Sequence, residues 1–195
     1  MLQKSAYDFN IAINDTVREF SSPILDKLDN GAFSYVRTYK DGSVFRASSH
    51  RLWTELFFKH ELYNESSNKH MNLEILNKDS NREYTTGIPQ GKVGEIYCNE
   101  SGLWNQLSNW ELKDDYIELY CFATKPENTN AINFYLSNLS KLKKHAETFR
   151  RKVDSEFEIE SRESRFFLKD KEKVTAFFDE MAKIQKEQSF SMLNG

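Results

Sequence analysis

Two periods of apolar residues run along this chain, and the switches between them place most of its elements. Residues 3 to 29 carry Tyr7, Ile11, Val17, Phe20, Ile24, Leu25 and Leu28 on a broadly helical period. Ser21-Ser22-Pro23 interrupts it, so two helices are expected, with Pro23 in the first turn of the second and Asn30-Gly31 ending it. From Phe33 the period drops to two. Phe33 to Tyr39 alternates aromatic and β-branched residues, Asp41-Gly42 supplies a turn, and Val44 to Ala47 returns as a second strand. Leu52, Trp53, Leu56, Phe57 and Leu62 then resume helical spacing behind Ser48-Ser49 as a cap region. A hairpin, a helix on its face and an aromatic seam between them make a pocket wall.

Further on, residues 63 to 70 are polar and turn-rich, a short element is expected at Met71 to Leu76, and residues 77 to 91 have the composition of a surface connector. Gly94 to Asn99 and Tyr116 to Thr124 read as strands. In the second, Ile117, Leu119, Cys121 and Ala123 share one face while Tyr116, Tyr120 and Phe122 share the other, so it belongs in the centre of a sheet covered on both sides. Between them, Leu103, Trp104, Leu107 and Trp110 have helical spacing, with indoles that either fill the core or roof a cavity. After Pro126, the residues Ile132, Leu136, Leu139, Leu142, Ala146, Phe149 and Val153 define the strongest helix, and Lys141, Lys144, Thr148, Arg151 and Lys152 fall on its solvated side. Arg165 to Leu168 is a candidate edge strand. Val174, Phe177, Phe178, Met181 and Ile184 mark a last helix, followed by a tail.

The expected fold is therefore α+β, an α/β/α sandwich around a mostly antiparallel five-stranded sheet. At 195 residues the chain fits one domain with a short extension, divided here as 1–168 and 169–195. Its apolar content is carried by a few large side chains, fifteen of them Phe, which suits either an aromatic-lined cavity or a core that fills itself. The formal net charge is -3 with both signs interspersed, so this chain is not expected to wrap nucleic acid by itself. No apolar run reaches membrane length and no signal peptide is read. With Cys98 and Cys121 in apolar segments, the expectation is a reduced, cytoplasmic protein with no membrane partner.

Catalytic signals are weak. His50, His60, His70 and His145 lack partners at metal-ligand spacing, no nucleophile elbow occurs, and the Gly87 to Val93 segment is not a phosphate loop. Glu118 stands among apolar neighbours and is expected to be an edge-facing carboxylate rather than a tuned acid. Neither an enzyme nor a metal or other cofactor is expected.

The Trp-bearing helix directly after the first hairpin, SSHRLWTELFFKHEL, resembles the autoinducer-binding, PAS-like sensor domain of LuxR-type bacterial transcription regulators. The segment ATKPENTNAINFYLSNLSKLKKHAETFRRK is similar to the long helix that follows the last core strands in some of these regulators, and the likeness spans most of residues 5 to 168. The resemblance implies a small molecule held between sheet and helices, and a homodimer. It puts Trp53 at the tryptophan that hydrogen-bonds the ligand head group, and Phe57 and Phe58 at aromatic pocket positions. Where that family has an aspartate for the ligand amide, this chain has Ser66 within NESSN, which argues against an acyl-homoserine lactone because a neutral hydroxyl is a weaker acceptor. The family also carries a helix-turn-helix domain after the sensor. None is read before Gly195, so DNA contact is expected only through a domain beyond residues 169–195.

Together these readings predict a small-molecule-sensing regulatory domain. Its expected ligand contacts are Trp53, Tyr35, Phe57, Phe58, Ser66, Trp104 and Tyr120. The competing expectation is a ligand-independent dimerisation or protein-interaction module with a self-filled aromatic core.

Overall fold

The computed structural model of the chain describes residues 2–65, 82–87, 91–157 and 162–193. It is an α+β fold built on one antiparallel sheet. Two helices, α1 (Leu2–Ala12) and α2 (Asn14–Leu25), lead through a single 3-10 turn into β1 (Ala32–Tyr39) and β2 (Ser43–Ser48), then α3 (Arg51–Lys59). After β3 (Arg82–Gly87) come α4 (Gly91–Glu95), a π-helical turn at Ile96–Glu100, and the long strands β4 (Trp104–Leu112) and β5 (Tyr116–Thr124). The chain then continues as α5 (Ala131–Glu156), β6 (Phe166–Phe167) and α6 (Lys171–Leu193). Spatial order is β3-β4-β5-β1-β2-β6, an open antiparallel sheet of five longer strands as expected in kind, with the two-residue β6 at the edge, where the sequence reading places an edge strand over Arg165 to Leu168.

The hairpin forms as its residues dictate. Asp41 Oδ1 accepts the Ser43 N–H at 2.8 Å and the Gly42 N–H donates to the Tyr39 carbonyl at 2.9 Å, closing the turn. Gly42 has φ +79°, and a Cβ there would lie 2.4 Å from the Lys171 Cβ, so both the backbone and the docked α6 require glycine. Only Ser43 and Val44 of β2 pair outward with β6; α1 and α2 pack beside the strand, and the Asn14 side-chain amide donates to the Ser48 carbonyl at 2.8 Å.

Four local expectations are overturned. The break in the first helical pair falls at Ile13, and Pro23 lies in the last turn of α2, where the Ser22 hydroxyl donates to the Glu19 carbonyl that proline leaves without its backbone donor. Residues 94–99 are helical, since Ile96, Tyr97 and Cys98 are buried in succession rather than alternately. Residues 104–112 are a strand. A register shift between Trp104 and Leu107 spaces these two by three, which mimics a helical period. Within the connector expected over 77 to 91, residues 82–87 form β3 on β4. The element expected at Met71 to Leu76 lies outside the described residues.

Each sheet face has its own core. Toward α5 and α2 point Phe33, Tyr35, Phe45, Tyr120 and Phe122, packed with Val17, Leu25, Leu142 and Phe149. Toward α3 and the π turn lies a cluster of Trp53, Phe57, Tyr97, Ile117 and Ala123, which also takes in Val174, Phe177 and Phe178 of α6. Among the described residues no helix is long and apolar enough to cross a membrane.

Candidate functional site

α3 is positioned by its first residues. The His50 Nδ1 accepts the Trp53 N–H at 3.1 Å, a side-chain cap, so the imidazole is bound as the Nε2–H tautomer. Burial, then the charges of Arg18 and Arg46, hold its pKa down at about 4, and the cap stays neutral at physiological pH. Trp53, one turn in, is buried and meets the Tyr97 ring edge-on at 4.9 Å and the Phe57 ring at 5.8 Å.

Beneath these rings, β2 carries Arg46, opposite Val36 of β1 and only 3% exposed. Its Cζ is 4.6 Å from the Phe57 ring centroid and 5.9 Å from that of Trp53. Nη1 donates to Thr54 Oγ1 at 3.2 Å and to Asn10 Oδ1 at 3.4 Å, both neutral acceptors. Nη2 is buried and has no hydrogen-bond partner among the described residues. Burial lowers the guanidinium to about 9, still cationic at neutral pH.

Among the described residues no neighbour balances that charge. Tyr97 and Cys121 act on it electrostatically, but burial raises the Tyr97 phenol well above its ordinary value and pushes the Cys121 thiol up to about 12. Both are therefore neutral at pH 7, with the Tyr97 hydroxyl and the Cys121 sulfur 3.8 Å apart. The site is a buried cation under an aromatic roof, among hydroxyls and a thiol. It can bind an acceptor through fixed donors. Among the described residues no group of His, Cys, Asp or Glu converges to hold a metal ion.

The seven expected ligand contacts separate. Trp53 and Phe57 lie at this site. Phe58 is half-buried and packs edge-on against Tyr7 at 5.8 Å and Phe166 at 5.7 Å, on the α1 side of α3. Tyr35 and Tyr120 are paired directly across β1 and β5 and project to the opposite sheet face, so these two expected contacts do not join Trp53 and Phe57. The reason is pleat parity: α3 covers the face of Val36 and Arg46, one residue out of step with Tyr35. Trp104 lines a separate cleft of about 300 Å³ with His50, Cys98, Leu103 and Lys125, and its indole N–H donates to the Cys98 carbonyl at 3.2 Å. Ser66 lies outside the described residues.

Arg46 escaped the sequence reading, although its signal is present. It is the lone charge in SVFRAS, a strand buried at every position, two residues from Val44 and from Ser48 on the same face. Glu118 is also corrected. It is 1% exposed in the central strand β5, where it accepts from the Tyr35 hydroxyl at 3.0 Å and faces Arg150 Nη1 at 3.6 Å. Burial raises its pKa, while Arg150, Tyr35 and Arg37 oppose that rise.

Compared with known proteins, the chain matches no protein-family model and no curated protein.

Proposed function

We propose that this chain is a small-molecule-sensing regulatory domain. The ligand is held between the sheet and α3 on the Trp53 face, and its binding controls transcription through a helix-turn-helix domain. The observation that supports this most is the contrast between the two faces. Both are packed with rings, but on one the buried arginine closes on a carboxylate, while the other places a cation with no carboxylate partner among the described residues beneath Trp53 and Phe57. Binding of a ligand there stabilises one arrangement of α3 and the strands by its differential affinity. The resemblance of SSHRLWTELFFKHEL to LuxR-type sensors gives the same class, with Trp53 in the ligand's first layer.

The test is native mass spectrometry of the purified chain against its denatured mass. A retained small molecule, lost on denaturation, is the expected result. A second reading, a dimerisation module with a self-filled core, is favoured by the ring packing of Phe33, Phe122 and Phe149. A dimer that carries no small molecule, and whose melting temperature no apolar compound raises, decides for that module.

A further inference from the structure

We infer that the Trp53 face takes the carboxylate of a small apolar acid, and that Arg46 is the residue that binds it. This deepens the sensor reading above and rests on it.

A guanidinium presents five N–H donors in a planar fork that matches a carboxylate. In Arg46 the Nη1 contacts reach only an amide oxygen and a hydroxyl, and Nη2 is without a partner among the described residues. A buried ion in that condition is costly, and protein folds normally supply the counter-charge. This fold does so elsewhere: Arg37, on the other face, has Asp154 at 2.7 Å. At Arg46 the electrostatic neighbours Tyr97 and Cys121 stay protonated, so the missing charge must come from outside the described residues.

Ligand charge and body follow from the surroundings. A dianion such as a phosphate monoester would need a second cation, but His50 is held neutral and Arg18 is engaged with the Gly31 carbonyl and Asn30. A monoanion fits the single fork. Trp53 and Phe57 over the guanidinium offer contact to an alkyl or aryl body, not to a polar one. Ser34 and Val36, the β1 residues on the same face beside the charge, are half-buried while every residue of β2 is buried.

The experiment uses octanoate and phenylacetate against octanamide and phenylacetamide, read by melting temperature and tryptophan fluorescence, with the full chain and its Arg46→Met and Arg46→Lys variants. The expected result is a rise of about 3 °C for the wild type with the acids at tenfold excess over Kd. The amides produce none. Arg46→Met folds and loses the response; Arg46→Lys, which keeps the charge without the fork, binds the acids at least tenfold more weakly. Amides as effective as acids, or acids that bind Arg46→Met unchanged, overturn the role of Arg46 and leave the sensor reading standing. No response to any of the four, together with a wild-type chain that carries no small molecule in native mass spectrometry, overturns both.

Discussion

Arg37 and Arg46 sit on adjacent strands, one opposite Phe45 and the other opposite Val36, and neighbouring pairs in a pleated ladder face opposite ways. Both are deeply buried, at 5% and 3% exposure. Arg37 donates from Nε to the Tyr35 hydroxyl at 2.7 Å and from Nη1 to Asp154 at 2.7 Å, and stacks 4.8 Å over Tyr116. Tyr35 in turn donates to Glu118, which Arg150 of α5 also faces, so the network ties the long helix to the sheet. Burial pulls Arg37 toward deprotonation, but Tyr35 and Asp154 outweigh it and raise its pKa; at Arg46 burial prevails over the weaker opposing pull of Tyr97 and Cys121. The same residue type thus acts as a clasp on one face and as an open donor on the other. What separates them is the presence of a carboxylate, not depth.

The largest effect should come from breaking the clasp. Arg37→Met takes the cation from Asp154 and the Nε donor from the Tyr35 hydroxyl, while Glu118 keeps Arg150. Because Asp154 is half-exposed, the loss should lie at the lower end of the range, about 3–5 kcal/mol, that breaking a fully buried pair costs. Urea denaturation of the variant should show that loss, with the midpoint falling and the slope kept. A variant as stable as the wild type would mean that Arg37 is no more clasped than Arg46.

Next in size is an acid-side loss that involves one histidine from each face. Burial holds His145, packed among Phe20, Phe33 and Phe122, at about 4, as burial and then Arg18 and Arg46 hold His50. In the unfolded chain both titrate near 6.5. Between those values the unfolded state binds more protons, so stability falls as pH drops below about 6.5 and the loss is complete under about 4. From about pH 6.5 to 5 the two should together cost about 3 kcal/mol, less whatever Glu118 returns, since a carboxyl raised on folding titrates with the opposite sign. Urea midpoints across that range check it. A flat profile would show that neither imidazole is held neutral.

Arg46→Met should have the opposite sign from Arg37→Met. Replacing an uncompensated buried ion by an apolar side chain of similar reach gains about 2 kcal/mol in the unliganded protein. The His50 pKa, followed by NMR, should rise once that charge is gone, while His145 stays where it is. A destabilised variant would make Arg46 a structural residue whose partners, Asn10 and Thr54, suffice.

How much of this the chain announces follows from the same parity. The hairpin, the central strand at Tyr116–Thr124 and the helix from Ala131 rest on strong periods and a turn with its own chemistry, and they form as expected. The two elements between them exchange identities because Trp104, Leu107 and Trp110 stand three apart across the β4 bulge, with Leu107 in one core and the two indoles against the other, so the strand alternation is broken. The division of Trp53 from Tyr35 was not legible for a related reason. β1 puts Phe33, Tyr35, Arg37 and Tyr39 on one face and Ala32, Ser34, Val36 and Thr38 on the other, but that alternation does not say which of the two α3 will cover.

The smallest effect separates the two faces functionally. Tyr35→Phe removes one hydroxyl that donates to Glu118 at 3.0 Å and accepts from Arg37 at 2.7 Å, while the Arg37–Asp154 and Arg150–Glu118 pairs remain. A buried hydroxyl lost between two charged partners costs about 1–2 kcal/mol. Glu118, short of a donor, should titrate higher still. Because the hydroxyl lies across the sheet from Arg46, the same variant should retain any small molecule in native mass spectrometry as fully as the wild type does. Loss of that molecule with the fold intact would bring Tyr35 back into the ligand site and make the two faces one coupled unit, in which the clasp senses what the open donor holds.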